Sequence, residues 1–165
     1  GKAAADKLIP ATLELGGKSA NIYFDDCKWD MAIDGLQLGI LFNQGQVCCA
    51  GSRVFVQESI YDKFVEAAVK AFNQVNVGDP LDPNTQMGPA VTEAQRDVSY
   101  SYIDIAKDGG GRVVTGGERL SLDKPGWYVQ PTLIADTLPD ARINTEEVFG
   151  PVASTIRVAS PTYVS

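Results

Sequence analysis

Short β-prone segments alternate with amphipathic helical segments through most of this 165-residue chain, and this alternation limits its fold more than any other feature. The predicted strands lie at residues 20–24, 53–57, 112–114, 127–135 (interrupted by Pro131) and 153–158. The predicted helices lie at residues 30–42, from 59 to about 72, and 92–107. Such alternation is typical of α/β folds in which helices cover a largely parallel sheet. We therefore predict an α/β fold with a largely parallel sheet.

The ends of several predicted elements carry their own signals. Ser59 is suited to cap the amino end of the second helix, and Thr92 with Gln95 has the pattern of a capping box for the third. The three glycines at 109–111 predict the end of that third helix. The strand at residues 20–24 is short and β-prone and precedes a turn, so we predict that it is buried.

Charge and hydropathy exclude several classes of partner. The formal net charge is −7, from 14 basic and 21 acidic residues, and the basic residues do not cluster. A nucleic-acid surface needs concentrated positive charge, so we expect no nucleic-acid partner. No apolar run reaches about 18 residues and no signal-peptide pattern is present, so we expect no membrane partner and a cytoplasmic location.

The cysteines and the lack of histidine narrow the possible chemistry. The three cysteines include the adjacent pair Cys48 and Cys49, which suits neither a disulfide framework nor a zinc site, so we expect reduced thiols and no metal. Without histidine, a nucleophilic cysteine must be activated by backbone amides, a helix end or a cationic cofactor. The best candidate base is Glu14, which precedes two glycines that permit close backbone approach and unusual dihedral angles.

Three motifs resemble those of one enzyme family, and they occur in the expected order. They are Leu-Glu-Leu-Gly-Gly-Lys-Ser at residues 13–19, Gly-Gln-Val-Cys-Cys-Ala-Gly-Ser-Arg at 45–53 and Glu-Glu-Val-Phe-Gly-Pro-Val at 146–152. Together they resemble the NAD(P)-dependent aldehyde dehydrogenases, and the separation of Glu14 and Cys48 also fits that family. The resemblance covers nearly the whole chain and implies the family's three-layer α/β catalytic domain.

The resemblance implies catalytic roles for two residues. The family pattern Gly-Gln-x-Cys selects Cys48 over Cys49, which chemistry alone does not separate. In the family, the thiolate adds to an aldehyde, hydride passes to NAD or NADP, and the resulting thioester is hydrolysed to a carboxylic acid. The resemblance assigns Glu14 as the base that activates water for this hydrolysis. Cys27 lies outside these motifs, and we expect structural roles for Cys27 and for Arg53.

Four further residues are implied to contact the cofactor. Glu147 and Phe149 resemble the family residues that hold the nicotinamide ribose hydroxyls and pack beside the cofactor. Leu15 and Gly16 are assigned to the same cofactor site. Lys18 lies in the same motif, and we expect it to help place the glutamate segment.

The resemblance also implies a division of the chain. Residues 1–18 correspond to the end of the family's cofactor domain, and residues 19–165 to an incomplete catalytic domain. In the family, most of the nucleotide site and an oxyanion-stabilising asparagine precede this region, and a strand used in subunit pairing follows residues 160–165. We therefore expect weak or absent NAD affinity from these residues alone, and a homo-oligomer in the full-length protein.

Two other functions remain open at the level of sequence. A thiolate facing a water-activating carboxylate could cleave activated esters without a cofactor, as a thiol esterase. The chain could also be an inactive α/β fragment that serves only as a structural or interaction module. The resemblance implies a small-molecule aldehyde as substrate without saying which one, and the sequence does not distinguish NAD from NADP.

Overall fold

The computed structural model describes residues 1–159, so the last six residues of the predicted catalytic-domain segment, 160–165, lie outside the described part. The helices are α1 (Lys2–Ala5), α2 (Trp29–Leu41), α3 (Tyr61–Asn73), α4 (Glu93–Asp108) and α5 (Arg142–Thr145). The strands are β1 (Ala20–Tyr23), β2 (Arg53–Gln57), β3 (Arg112–Thr115), β4 (Thr132–Ala135) and β5 (Val152–Val158). The three long helices and five strands lie where the sequence predicts them, except that β4 begins only after Pro131.

The five strands form one sheet in the order β1-β2-β5-β4-β3. The pairs β1–β2, β2–β5 and β4–β5 are parallel, and only the edge pair β3–β4 is antiparallel. The predicted α/β fold with a largely parallel sheet is therefore confirmed.

Helices cover both faces of the sheet. The alternating side chains of the central strands pack against different helices on the two faces. Leu133, Ala135 and Ala153 pack into a core cluster with residues of α2 and α3. Ile134 and Val152 point to the other face and pack with residues of α4 and α5. Because successive side chains of a strand lie on opposite faces, these two clusters are two separate layers of core. The predicted three-layer arrangement is confirmed.

The prediction that the first strand is buried is wrong. Among residues 1–159, β1 pairs only with β2, so it forms an edge of the described sheet. Ala20 is exposed, and Ile22 is 44% exposed. Local sequence predicts the extended conformation of such a segment, whereas its burial depends on strand order, which is set by distant parts of the chain.

The predicted cap of the second helix is also wrong. Ser59 lies within a 3₁₀ turn, Glu58–Ile60, and the capping position of α3 is occupied by Ile60 without a side-chain hydrogen bond. The Ser59 hydroxyl instead donates to the carboxylate of Asp25 at 3.4 Å. The Ser59 hydroxyl therefore links its segment to the turn after β1 and does not cap the helix.

The capping box predicted for α4 forms only in part. Thr92 caps the helix and accepts a hydrogen bond from the backbone N–H of Gln95 at 3.2 Å. No reciprocal bond from the backbone N–H of Thr92 to the Gln95 side chain forms in the described part of the chain, and Gln95 Nε2 donates to the carbonyls of Val148 and Phe149. The predicted end of the helix is confirmed, since Gly110 has a φ of +85° and donates to the carbonyl of Lys107.

Each of the three motifs leads directly into a parallel strand. The motif at residues 13–19 precedes β1, the motif at 45–53 ends in β2, and the motif at 146–152 ends in β5. These three strands are neighbours in the sheet and run in the same direction. The motifs therefore meet at the amino ends of the strands, whereas ligands of open α/β sheets more often bind at the carboxyl ends.

The length and hydropathy of the described helices show whether any of them could span a membrane. Within residues 1–159, no helix combines the length and the apolar character needed to cross a membrane.

Candidate active site

A cavity of about 800 Å³ lies where the three motifs meet. Its lining includes all six residues predicted for the site, namely Glu14, Leu15, Gly16, Cys48, Glu147 and Phe149. Residues of α4 complete the wall, among them Gln95 and Val98. The volume falls within the range of small-molecule and cofactor sites.

Cys48 follows a tight turn after α2. Asn43, Gln44 and Gly45 all have left-handed φ values, of 49°, 58° and 68°. The Asn43 side chain donates to the carbonyl of Gln46 at 3.0 Å and closes this turn. Consecutive non-glycine residues in the left-handed region are uncommon, and such backbone strain is concentrated at functional sites. The turn directs the chain so that Cys48 lies exposed on the cavity wall.

The structure distinguishes the three thiols by their surroundings. Cys48 and Cys49 are both free and exposed, but only Cys48 belongs to the cavity lining. Cys27 is partly buried and packs against the core cluster beneath α2 and α3. Exposure alone does not separate the adjacent pair, whereas position relative to the cavity does.

The two glycines after Glu14 leave room for the other motifs. A Cβ atom on Gly16 would overlap the carboxylate of Glu147, and one on Gly17 would overlap the backbone carbonyl of Cys48. Neither glycine has a left-handed φ. The close approach expected from the sequence is therefore observed, and these glycines supply space and not unusual dihedral angles.

Glu147 lies in a loop that precedes β5, here called the Glu147 loop (residues 146–151). Its carboxylate is exposed on the cavity, and Oε1 accepts a hydrogen bond from the backbone N–H of Gly17 at 3.0 Å. Phe149 has a left-handed φ of 57°, and the residue is 37% exposed. The loop therefore presents one carboxylate and one aromatic ring to the cavity.

Gln95 fastens the Glu147 loop to α4. Its Nε2 donates to the carbonyl of Val148 at 2.9 Å and to that of Phe149 at 2.8 Å. Sequence reasoning missed this role, because a glutamine at this position of a capping box is expected to bind its own helix end. No signal in the sequence indicates a partner more than 50 positions away.

Lys18 lies close enough to Arg53 and Glu147 for their charges to affect its own. The Lys18 Nζ and Arg53 Nε atoms are both buried, and neither has a hydrogen-bond partner among residues 1–159. The pKa of Lys18 is lowered from 10.5 to about 8; burial is the largest cause, repulsion by Arg53 acts in the same direction, and attraction to Glu147 opposes both effects. Arg53 also lies 5.8 Å from the Phe55 ring, in keeping with the packing role expected for it. That Lys18 helps to place the glutamate segment stays a prediction.

Comparison with known proteins supports the resemblance seen in the motifs. The sequence profile of the aldehyde dehydrogenase family matches residues 1–163. An aldehyde dehydrogenase from Davidiella tassiana is 49% identical over 152 residues, which cover 92% of this chain and 30% of that protein.

Solved structures agree with this sequence match. The NAD+ complex of an aldehyde dehydrogenase from Bacillus cereus has a TM-score of 0.91 and 42% identity, covering 99% of this chain and 33% of that one. Betaine aldehyde dehydrogenase from Staphylococcus aureus, in complex with NAD+, has a TM-score of 0.89 and 40% identity, covering 96% of this chain and 32% of that one. The chain spans about a third of the length of these relatives. On the family profile, the sequence identity and the shared fold, this chain belongs to the aldehyde dehydrogenase family.

Proposed function

We propose that this chain carries the nucleophile and the hydrolytic base of an NAD(P)-dependent oxidation of an aldehyde to a carboxylic acid. One observation carries the proposal: Cys48, Glu14 and Glu147 come from three separate segments and line a single cavity. The family membership of the chain supports the same reaction. The NAD+ complexes of the Bacillus cereus and Staphylococcus aureus enzymes support the choice of cofactor.

Cys48 is the proposed nucleophile. Its thiolate adds to the carbonyl carbon of the aldehyde, and the oxygen atom becomes the oxyanion of a thiohemiacetal. Backbone N–H groups near the sulfur atom are suited to stabilise that oxyanion. The exposure of Cys48 on the cavity gives an aldehyde access to the sulfur atom.

Glu147 and Phe149 are the proposed holders of the cofactor. An exposed carboxylate can accept hydrogen bonds from two ribose hydroxyls, and an exposed ring can pack on a planar group, so these side chains fit the nicotinamide ribose end of NAD(P)+. Leu15 and Gly16 complete this part of the wall. When bound, NAD(P)+ supplies the acceptor for the hydride that leaves the carbon attached to the Cys48 sulfur, and a thioester remains.

Glu14 is the proposed base for the second half of the reaction. Its carboxylate takes a proton from water as the water oxygen attacks the thioester carbon. The carbon–sulfur bond then breaks, the carboxylic acid leaves, and the Cys48 thiolate is restored. The exposed position of Glu14 on the cavity wall gives it access to water.

The proposal extends to the organisation of the protein. We place the end of the cofactor domain at residue 18, because α1 buries no side chain and the catalytic sheet begins at Ala20. The three free cysteines favour a reducing compartment such as the cytoplasm. A homo-oligomer in the full-length protein and weak NAD affinity of residues 1–165 alone stay predictions.

Hydrolysis of p-nitrophenyl acetate without cofactor tests the roles of the cysteine and the glutamate. We expect Cys48→Ala to abolish release of p-nitrophenol, because the attacking sulfur atom is gone. We expect Glu14→Gln to keep a single-turnover burst but lose steady turnover, because the acetyl thioester forms and is not hydrolysed. Mass spectrometry of the Glu14→Gln protein should then locate an acetyl group on Cys48.

Cys49→Ala is the matched control, since Cys49 is an adjacent exposed thiol outside the cavity lining. We expect it to keep the hydrolysis rate. Equal losses in the two cysteine variants, or an unchanged rate in Cys48→Ala, would contradict the proposal. For the complete reaction, a protein of full family length that contains this chain is given aldehydes with NAD+ or NADP+, and reduced cofactor and carboxylic acid are measured together.

A thiol esterase is the second candidate function. The position of Cys48 and Glu14 on one cavity favours it, because ester cleavage needs no hydride acceptor. The two functions differ in one result: an esterase hydrolyses p-nitrophenyl acetate but does not reduce NAD(P)+ in the presence of aldehydes, even in the full-length protein.

A further inference from the structure

A separate cavity of about 370 Å³ lies between α4 and the loop of residues 118–129, here called the 118–129 loop. Its lining shares no residue with the cavity that contains Cys48. We propose that this separate cavity binds a small molecule through a phosphate group, which is held by Arg119, Lys124 and the hydroxyl of Tyr128. The proposal goes beyond the oxidation of aldehydes, because that reaction is assigned to other residues.

The 118–129 loop is closed at its base and fastened to α4. Arg119 and Val129 form an antiparallel bridge where the loop begins and ends. The hydroxyl of Tyr100, a residue of α4, accepts a hydrogen bond from the backbone N–H of Leu120 at 3.1 Å. The same hydroxyl donates to the carbonyl of Glu118 at 3.0 Å. Because these contacts hold the loop on the helix, the cavity is formed before a ligand binds, as is usual for small-molecule sites.

Tyr128 provides the clearest evidence for a ligand. The residue is only 3% exposed, yet its hydroxyl makes no hydrogen bond within residues 1–159, whereas the hydroxyls of Tyr61, Tyr100 and Tyr102 all do. The hydroxyl end of the Tyr128 ring lies against Gly126, where an added Cβ atom would be 3.0 Å from the hydroxyl oxygen. Both residues line the cavity. A buried hydroxyl costs free energy unless it has a hydrogen-bond partner, and a ligand in the cavity supplies one.

The charged side chains of the lining are all basic. They are Arg96, Arg119 and Lys124. The carboxylates that pair with them, those of Asp79, Glu93 and Asp97, lie outside the lining. Since the chain as a whole has a net charge of −7, this positive lining is a local feature. An anion in the cavity therefore meets positive charge and no lining carboxylate.

Arg119 and Lys124 have donors available for a ligand. Among the described residues, the guanidinium of Arg119 uses only Nη1, in a bond of 3.2 Å to Asp97, so Nε and Nη2 are left over. The ammonium of Lys124 carries three hydrogen atoms and has one contact, of 3.4 Å, to Asp79. The two side chains are 66% and 67% exposed, so these ion pairs contribute little to stability and a ligand can share or replace them.

A phosphate group fits these donors better than a carboxylate does. Arg119, Lys124 and Tyr128 approach the cavity from three separate positions of the loop. A phosphate monoester offers three acceptor oxygens and up to two negative charges, whereas a carboxylate offers two oxygens and one charge. Leu120 and Leu122 add apolar surface to the lining, which suits the carbon part of a small ligand. The chemistry of the cavity therefore points to a small phosphate monoester.

Binding of inorganic phosphate tests the proposal. The measurement is isothermal titration calorimetry at constant ionic strength, on a protein of full family length that contains this chain. NAD+ is present, so that the phosphate groups of the cofactor occupy the cofactor site. We expect a single phosphate to bind, with a Kd that rises about tenfold in Arg119→Gln and in Lys124→Gln. We expect a rise of about fivefold in Tyr128→Phe, while the midpoint of denaturant unfolding stays unchanged because the hydroxyl has no protein partner to lose.

Two basic residues outside the cavity supply matched controls. Arg112→Gln removes an arginine that is 62% exposed and paired with Asp136. Lys107→Gln removes a lysine that lies 3.4 Å from Asp104, the same distance as in the Lys124 pair. We expect both control variants to keep the Kd for phosphate, because neither side chain lines the cavity.

Gly126→Ala tests the hydroxyl by a second route, because the new methyl group covers it and leaves every charge in place. We expect the Kd for phosphate to rise about fivefold here as well, so the comparison survives if Tyr128→Phe does not fold. Absence of phosphate binding, or equal losses in Arg119→Gln and Arg112→Gln, would overturn the proposal. Phosphate binding that disappears when NAD+ is added would also overturn it, since the phosphate would then lie in the cofactor site. Acetate that binds as tightly as phosphate would overturn the choice of ligand.

Discussion

The backbone N–H of Gly17 donates a hydrogen bond to the carboxylate of Glu147 at 3.0 Å, across 130 positions of sequence. The same glycine lies so close to Cys48 that a Cβ atom would overlap the Cys48 carbonyl. A single glycine of the first motif therefore contacts both of the other motifs. Their relative placement depends on the small size of this residue.

We expect Gly17→Ala to lower the free energy of unfolding by about 1–3 kcal/mol, because the new methyl group must displace the backbone of Cys48. Denaturant-induced unfolding measures this change. The alkylation rate of Cys48 by iodoacetamide, with the labelled residue located by mass spectrometry, should change in the same variant.

Gly35→Ala is the control for that substitution. Gly35 lies in the middle of α2, and a Cβ atom there would meet no atom within 4 Å. Because alanine favours helix more than glycine does, we expect the free energy of unfolding to rise by about 0.5–1 kcal/mol. Equal losses of stability in the two variants would show that crowding at Gly17 is not the cause.

Features with a local signal could be predicted from the sequence. The predicted strand at residues 53–57 coincides with β2, and the predicted helix from 59 to about 72 largely coincides with α3, whose Phe64 and Ala68 are fully buried. The six predicted site residues also line one cavity. Periodicity and motif order are contained in the chain itself, so they can be interpreted without knowledge of tertiary contacts.

Features that depend on distant contacts could not be predicted. The exposure of Ile22 follows from the edge position of β1, and the bond of Ser59 to Asp25 replaces a helix cap that the local pattern favours. The partners of Gln95 lie more than 50 positions away. In each case contacts with distant parts of the chain override the structure that the local sequence favours.

Asn144 offers a test of how the segment before Glu147 is anchored. Its side chain is almost fully buried; Nδ2 donates to the Thr137 hydroxyl at 2.9 Å and to the Leu138 carbonyl at 2.6 Å, and Oδ1 accepts from Ser154. We expect Asn144→Ala to lower the free energy of unfolding by about 2–4 kcal/mol, because buried polar partners lose their hydrogen bonds and a small cavity remains.

The control for Asn144 is Asn84→Ala. Asn84 is exposed, and its side chain makes a hydrogen bond only with Asp82 among the described residues. We expect its unfolding free energy to change by less than about 0.5 kcal/mol. If Asn144→Ala were as mild as this control when both are measured by denaturant unfolding, the buried hydrogen bonds would not anchor the segment.

Lys18 predicts an unusual dependence of stability on pH. Its pKa is lowered from 10.5 to about 8, first by burial and then by repulsion from Arg53. Between pH 8 and 10.5 the unfolded chain therefore binds a proton at Lys18 that the folded chain has released. The contribution of Lys18 to the free energy of unfolding therefore rises with pH between pH 8 and 10.5. Below pH 8 the folded chain carries the full free-energy cost of burying the charged amine.

Replacement by an uncharged side chain of similar length removes this penalty. We expect Lys18→Met to raise the free energy of unfolding by about 2 kcal/mol at pH 7, and this gain to shrink towards pH 10.5. Denaturant unfolding of both proteins at several pH values between 7 and 10.5 measures the difference, in which the titrations shared by both proteins cancel. Lys7→Met, at an exposed position, should change stability by less than about 0.5 kcal/mol at pH 7. A gain for Lys18→Met that stayed constant over this pH range would contradict the lowered pKa, because the folded and unfolded chains would then bind the same number of protons at Lys18.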